Sequence, residues 1–216
     1  MLKYLTLCLL SLISTLSAQW KNGDIIFTKT SGRQAIAVEA ATESPWTHTA
    51  VIFISEGKPM VLEAVQPVQI ISLDAYLKRS GKKANHSFKR LKDASSLNQD
   101  VFARAVAWAK KHVGKNYDGR FQWCDKTLYC SELVWKVYHE CAGIELCRVK
   151  KVKEYNLQHP KVKQLITERF GSVDRLNVEE KIVAPSDIYD SELLVEFHPF
   201  AKKVAPQKQK KELLKK

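Results

Sequence analysis

The order of the predicted elements limits the possible folds of this 216-residue sequence more than any other feature. Short apolar segments of strand length, separated by turn residues, occupy most of residues 24–91. The two clearest amphipathic segments, residues 101–112 and 129–141, come later in the chain. Because strands are grouped early and helices come mostly late, the sequence favours an α+β fold over a doubly wound sheet, in which the two would alternate.

Turn and capping residues set the expected boundaries of these elements. Strands are predicted at residues 24–27, 48–54, 60–65, 68–72, 87–91 and 193–197, and helices at residues 31–42, 73–78, 101–112, 129–141 and 160–170. Ser72 is placed to cap the short second helix. A four-residue loop at 55–58 would pair Ile54 with Pro59 across the first hairpin.

The N-terminus has the features of an export signal. A basic residue near the start is followed by an apolar run at residues 5–16 and then by the small pair Ser17-Ala18, which suits cleavage. The run is too short for a membrane-spanning helix. We therefore expect a signal peptide at 1–18, one folded domain at 19–200, and a secreted or periplasmic protein.

The charge of the chain is concentrated at its C-terminus. The formal net charge is +12, and the basic tail at residues 201–216 holds seven lysines and one glutamate. Such a tail is typical of segments that bind anionic lipid head groups or other polyanions, and it also fits a solvated terminus. For an exported protein we expect no nucleic-acid partner, which leaves anionic lipid or cell-wall polymer as the alternatives.

Four cysteines remain after removal of the predicted signal: Cys124, Cys130, Cys141 and Cys147. They form no close Cys-x-x-Cys pair, and no histidine lies at zinc-ligand spacing from them, so neither a metal nor another cofactor is expected. Export permits disulfides. A bridge between Cys141 and Cys147 and a pair of unlinked buried thiols are both consistent with the sequence.

Cys130 is a candidate nucleophile because it lies in the first turn of the helix predicted at 129–141. The free N–H groups and the dipole at a helix N-terminus stabilise a thiolate, and one of these N–H groups can also help to hold a tetrahedral oxyanion. An inert buried cysteine fits the same segment. The segment alone leaves both interpretations open.

His48 and Glu63 are the candidate partners of this thiol. His48 opens a predicted strand, where its imidazole can act as a general base and later protonate a leaving group. Glu63 is a carboxylate inside an apolar strand, and the predicted hairpin places it opposite Ala50, diagonal to His48 on the same face. There it would orient the imidazole as the third member of a triad. A solvated histidine and a solvent-facing carboxylate are the alternatives.

Five segments match, in order, those of a known family: Gly23-Asp24-Ile25-Ile26-Phe27, Trp46-Thr47-His48-Thr49-Ala50-Val51, Val61-Leu62-Glu63-Ala64, Tyr117-Asp118 and Tyr129-Cys130-Ser131-Glu132-Leu133. The sequence resembles the circularly permuted NlpC-type papain-like hydrolases, in particular the YiiX/YebB-like branch, in which the histidine precedes the cysteine. The resemblance implies Cys130 as nucleophile, His48 as base and Glu63 as the residue that orients His48. It also implies a small antiparallel sheet or half-barrel, with the cysteine helix packed against it. Tyr117 and Asp118 stay without an assigned role, either in the cleft wall or as anchors of their loop.

The resemblance and the predicted export together suggest a thiol hydrolase that cleaves an amide bond, such as one in cell-wall peptide, through a cysteine acyl-enzyme. A lipid-directed esterase or acyltransferase of the same fold is the alternative, because permuted relatives act on lipid esters or amides and the basic tail suits a membrane surface. A non-catalytic binding protein that keeps the fold is a third interpretation. The expected ligand is a small peptide or a lipid-like amide or ester.

Overall fold

A six-stranded antiparallel sheet is the central element of the computed structural model, which describes residues 20–81 and 84–200. The predicted export signal at 1–18 and the basic tail at 201–216 lie outside the described residues. None of the helices in the described part of the chain is long and apolar enough to span a lipid bilayer. The combination of this sheet with separate helices confirms the predicted α+β class.

The elements are numbered in chain order. The strands are β1 (Asp24–Thr28), β2 (His48–Ser55), β3 (Lys58–Glu63), β4 (Gln69–Ser72), β5 (His86–Leu91), β6 (Lys150–Lys151), β7 (Lys181–Ile182) and β8 (Leu194–Phe197). The α-helices are α1 (Arg33–Thr42), α2 (Leu73–Ser80), α3 (Gln99–His112), α4 (Cys130–Ala142), α5 (Pro160–Phe170) and α6 (Pro185–Tyr189). Short 3-10 turns lie at Ala94–Ser96, Val152–Glu154 and Val173–Arg175.

The strands of the main sheet follow the order β4-β3-β2-β1-β5-β8, and every neighbouring pair is antiparallel. Ile54 lies opposite Pro59, which confirms the predicted register of the first hairpin. Its loop is shorter than predicted, because only Glu56 and Gly57 stay unpaired between the strands. Both turn residues have positive φ, at 50° and 74°, as a two-residue type I′ hairpin turn requires.

The sheet buries apolar side chains on both of its faces. One face packs against α3 and α4, and its core includes Ile25, Phe27, Val51, Leu62, Leu133 and Val137. The other face forms a smaller core with α2 and the N-terminal segment, which includes Trp20, Ile26, Ile52, Val61 and Tyr76. Alternate residues of β1 and β2 therefore enter different cores, which explains why these strands are apolar throughout rather than alternating with polar residues.

Helix α4 packs against the sheet and begins at Cys130, one residue later than predicted, because Tyr129 is its N-cap. The backbone N–H of Tyr129 donates to Glu132 Oε2 at 3.3 Å and closes the first turn. Gly143 ends the helix with a φ of 69°, a left-handed conformation that glycine adopts without steric cost. The start of α4, and with it the position of Cys130, is therefore set by local capping.

Some predicted boundaries need correction. The helix predicted at 31–42 begins two residues later, because Gly32 has a φ of 102° and lies outside the helix. The strand predicted at 60–65 ends at Glu63, where pairing with Gln69 of β4 completes the ladder. The two-residue strands β6 and β7 and the five-residue helix α6 escape prediction, because segments this short show no hydrophobic period.

Leu133→Ala is expected to lower the free energy of unfolding by about 3 kcal/mol, the usual cost of a buried leucine that leaves a cavity. Leu133 is 0 % exposed, whereas Leu193 is 44 % exposed and supplies a matched control. Leu193→Ala should change the free energy of unfolding by less than about 0.5 kcal/mol. Urea denaturation followed by circular dichroism measures both variants. Equal losses in the two would contradict the packing of α4 on the sheet.

Candidate active site

Cys130 is the first residue of α4, and only 4 % of it is exposed. Its sulfur is hydrogen-bonded to His48 and accepts the backbone N–H groups of Thr49 in β2 and Ser131 in α4. The end of one strand and the start of one helix thus meet at this sulfur. The structure brings together Cys130 and His48, as the sequence predicts.

His48 and Glu63 form a hydrogen-bonded pair across the neighbouring strands β2 and β3. His48 Nε2 lies 3.1 Å from Glu63 Oε2, with the imidazole largely buried and the carboxylate fully buried. An ionised carboxylate can only accept a hydrogen bond, so Nε2 carries the proton and donates a hydrogen bond to Glu63. Nδ1 is then the ring nitrogen left to face Cys130, as the base of a triad requires.

The contacts of the thiol and the imidazole favour their charged forms. Burial opposes ionisation of Cys130, but its hydrogen bond with His48, the charge of the imidazole and the N–H groups of Thr49 and Ser131 lower the pKa of the thiol. Burial likewise opposes protonation of His48, yet its hydrogen bonds with Cys130 and Glu63 raise the pKa of the imidazole to about 9. These contacts therefore favour a thiolate–imidazolium pair over the neutral thiol and imidazole.

Glu63 is held by more donors than His48 alone. Arg79 of α2 donates from Nη1 to Oε1 at 2.6 Å and from Nη2 to Oε2 at 2.7 Å, and Gln69 of β4 donates to Oε1 at 2.8 Å. Burial would raise the pKa of Glu63, but the hydrogen bonds from His48 and Arg79 lower it to about 2. The carboxylate therefore stays ionised and fixes the orientation of the imidazole.

Tyr76 of α2 covers one face of the imidazole. The rings of His48 and Tyr76 are inclined by 18° with their centroids 6.2 Å apart, and the Tyr76 hydroxyl lies 2.8 Å from Thr28 Oγ1. Sequence reasoning missed both Tyr76 and Arg79 as neighbours of the site. In the sequence Tyr76 has the pattern of an ordinary core residue of a short helix. Arg79 follows Lys78 at a helix end, where basic residues are common without any partner.

Tyr117 and Asp118 lie in the loop that leads to Cys130, and the structure separates their roles. The carboxylate of Asp118 accepts the backbone N–H groups of Arg120 at 2.8 Å and Gln122 at 2.7 Å, so Asp118 anchors the loop. Tyr117 lines the cavity that contains Cys130. Burial and then the nearby charge of Cys130 raise the pKa of the Tyr117 hydroxyl well above its ordinary value. Tyr117 is therefore part of the cleft wall.

The cavity beside Cys130 has a volume of about 120 Å³. Its wall comes mainly from α1, α5 and the segment that joins β7 to α6. Most of the lining side chains are apolar, among them Ala37, Val38, Val162, Leu165, Ile166 and Val183. Arg120 and Arg169 supply cationic groups to an otherwise apolar space. Cys130 therefore borders a cavity that suits the apolar part of a ligand.

The remaining described cysteines are separate from this site. Cys124, Cys141 and Cys147 are free thiols, so the bridge between Cys141 and Cys147 that the sequence permits is not formed. Burial raises the pKa of Cys141, and it raises that of Cys147 to about 12. Within residues 20–81 and 84–200, no group of three or more His, Cys, Asp and Glu side chains is placed to hold a metal ion.

The chain is similar over most of its length to known proteins. The family model described as permuted papain-like amidase enzyme, YaeF/YiiX, C92 family, matches residues 19–196. The chain is 34 % identical over 189 residues to YiiX, an uncharacterized protein of Escherichia coli (strain K12), and the match covers 88 % of this chain and 91 % of that protein.

The fold is also shared with a solved structure. A crystal structure of the metalloprotein yiiX from Escherichia coli O157:H7 matches with a TM-score of 0.76 and 33 % sequence identity. The match covers 83 % of this chain and 97 % of that one. These likenesses confirm the resemblance that the five ordered segments of the sequence suggest. The chain belongs to the YaeF/YiiX, C92 family of permuted papain-like amidases.

Proposed function

We propose that this protein is an exported cysteine hydrolase that cleaves an amide bond through an acyl-enzyme formed on Cys130. The observation that supports this most directly is the contact of Cys130 with His48, which lowers the pKa of the thiol and raises that of the imidazole. Membership of an amidase family favours an amide as the bond that is cleaved. Export rests on the predicted signal peptide at 1–18, and it would bring cell-wall peptide within reach as the substrate.

In the proposed reaction the Cys130 thiolate attacks the carbonyl carbon and forms a C–S bond in a tetrahedral adduct. The His48 imidazolium gives its proton to the amide nitrogen, the C–N bond breaks, the amine leaves and a thioester remains. Water then attacks the thioester while the neutral imidazole takes one of its protons. Collapse of the second adduct releases the carboxylic acid and restores the thiolate–imidazolium pair. Glu63 stays ionised throughout and stabilises the imidazolium.

Tyr117 is the proposed side-chain donor to the oxyanion of these adducts. Tyr117 lines the same cavity as Cys130, and its hydroxyl interacts with the charge of that residue. A backbone N–H group at the start of α4 supplies a second donor. Preorganised donors of this kind stabilise the charge that develops on the carbonyl oxygen.

The apolar wall of the cavity favours a second candidate function, a lipid-directed esterase or acyltransferase that uses the same nucleophile. An acyl chain would bury its apolar surface against α1 and α5. The basic tail at 201–216 would suit an anionic membrane surface. A non-catalytic binding protein is the third candidate, and the charged thiol–imidazole pair counts against it, because a binding role needs no activated nucleophile.

Labelling of Cys130 with iodoacetamide is expected to reach half of its maximal rate at a pH below about 8.5, the value of an ordinary thiol. In His48→Ala the midpoint should rise by at least one pH unit, because the thiolate loses its hydrogen bond and the charge of the imidazole, and the rate near neutral pH should fall. Mass spectrometry of tryptic peptides measures the rates, with the Cys124 peptide as internal control and Cys130→Ala as blank. A midpoint that does not respond to His48→Ala would contradict the proposed ion pair.

Glu63→Gln is expected to lower the free energy of unfolding by about 3 kcal/mol near neutral pH, because Arg79 and His48 lose a buried ionised partner. The pKa of Glu63 falls from 4.5 to about 2 on folding, so its stabilisation is complete above the higher value and is lost as the pH falls toward the lower one. Urea denaturation at several pH values should therefore show the wild type and the variant converging in acid. Glu192→Gln, an exposed matched change, should differ little from wild type at any pH.

Incubation with purified peptidoglycan peptides and with phospholipid vesicles, followed by mass spectrometry, separates the two candidate reactions. The amidase should release a new amine and a new carboxylate from the peptide, and the lipid enzyme should release or transfer an acyl chain. Cys130→Ala should abolish either product. Vesicle binding that is lost at high salt, and on deletion of residues 201–216, would assign the tail to membrane. Absence of any Cys130-dependent product would favour the binding protein.

A further inference from the structure

Three polar side chains from distant parts of the chain form a line of hydrogen bonds that ends beside Cys130. Arg169 of α5 donates from Nη2 to Gln34 Oε1 at 2.6 Å. Gln34, in the first turn of α1, donates from Nε2 to the Tyr117 hydroxyl oxygen at 2.8 Å. All of these side chains and Cys130 line the same cavity. The line therefore connects the packed pair of helices α1 and α5 to the reacting centre.

The guanidinium group fixes the direction of every hydrogen bond in this line. It has N–H donors and no acceptor, so it must meet the carbonyl oxygen of the Gln34 amide. The amide cannot be turned the other way, and its NH2 group must then face Tyr117 and donate. The hydroxyl oxygen of Tyr117 accepts this bond, so the hydroxyl hydrogen points away from Gln34.

The hydrogen of the Tyr117 hydroxyl is not used in the bond with Gln34 and can be donated elsewhere. Within residues 20–81 and 84–200, the hydroxyl makes its hydrogen bond with Gln34 alone, while Tyr117 lines the same cavity as Cys130 and lies close enough to interact with the charge of that residue. We infer that Gln34 and Arg169 are positioning residues that keep the Tyr117 O–H directed toward Cys130. There it would donate to the thiolate and then to the oxyanion. This inference rests on the proposed role of Tyr117 in acyl transfer and adds the two residues that orient its proton.

The charge of Arg169 can polarise this line because nearby carboxylates are already engaged. The two that interact with its charge are Glu168, which pairs with Arg33, and Asp118, which accepts two backbone N–H groups. Nη1 of Arg169 is buried and has no hydrogen-bond partner among the residues that the structure describes. In a chain of hydrogen bonds at low dielectric, each bond strengthens the next. The guanidinium should therefore make the Tyr117 O–H a stronger donor.

Gln34→Glu tests this directly, because it keeps the shape of the side chain and reverses one hydrogen bond. The carboxylate accepts from Arg169 on one side and from Tyr117 on the other, which turns the Tyr117 hydrogen away from Cys130. With p-nitrophenyl acetate we expect kcat to fall about 100-fold with little change in KM, the usual effect of losing one oxyanion donor. The new ion pair with Arg169 should keep or raise the melting temperature, which excludes unfolding as the cause.

Further variants separate orientation of the proton from simple packing of α1 on α5. Tyr117→Phe should lose as much kcat as Gln34→Glu, and the double variant should lose no more than either single variant. Arg169→Lys, which can still donate to Gln34 Oε1, should keep more kcat than Arg169→Met. A purely structural role would instead lower the melting temperature and the rate together, and the losses would add.

Titration of the thiol with iodoacetamide supplies a readout that does not depend on turnover. Gln34→Glu should raise the pH midpoint of Cys130 labelling more in the wild-type background than in the Tyr117→Phe background. In the wild-type background the added negative charge and the lost Tyr117 hydrogen bond both act on the thiolate, whereas in Tyr117→Phe only the added charge acts. Equal shifts in the two backgrounds, or wild-type kcat in Gln34→Glu, would overturn the positioning role and leave acyl transfer standing. Absence of Cys130-dependent p-nitrophenol release would overturn the proposed reaction, while the titration would still decide the role of Gln34.

Discussion

The buried carboxylate of Glu63 stays charged inside the protein only because donors meet both of its oxygens. These donors are His48, Gln69 and Arg79, which come from β2, β4 and α2. The carboxylate of Glu63 thus makes hydrogen bonds to both neighbouring strands and to a helix, and so helps to fix their relative positions. The same charge holds the imidazole in one orientation and raises the pKa of His48, which favours an imidazolium beside Cys130. The chemistry of the site therefore depends on how completely this carboxylate is satisfied.

The thiol and the imidazole come from different layers of the protein. Cys130 belongs to α4, which packs on one face of the sheet, whereas His48 lies beside Tyr76 of α2, which belongs to the core of the other face. They meet where β2 begins, at the end of the sheet. The position of the pair therefore depends on the packing of both cores. This explains how a histidine that precedes the cysteine in the chain still reaches it.

The sequence allowed the fold class, the first hairpin register and the proximity of Cys130, His48 and Glu63 to be predicted, because each leaves a local mark. A strand that opens on His48, a carboxylate in the apolar strand that ends at Glu63 and a cysteine at a helix start are visible without coordinates. Arg79, Gln34 and Arg169 leave no such mark. In the sequence they are ordinary polar residues near helix ends, and only tertiary packing gives them their partners. The apolar cavity could not be predicted either, since its wall is assembled from segments far apart in the chain.

The separate origin of that wall has a consequence for how such proteins can diversify. The proposed reactive residues lie in β2, β3 and α4, while most of the cavity wall belongs to α1, α5 and the segment before α6. Residues such as Val162 and Leu165 face the cavity without contributing to either sheet core. A substitution at Leu165, which is only half-buried, should alter the cavity at less cost to folding than a substitution in either core. Related proteins can therefore keep the same proposed nucleophile and differ in the ligand that the cavity accepts.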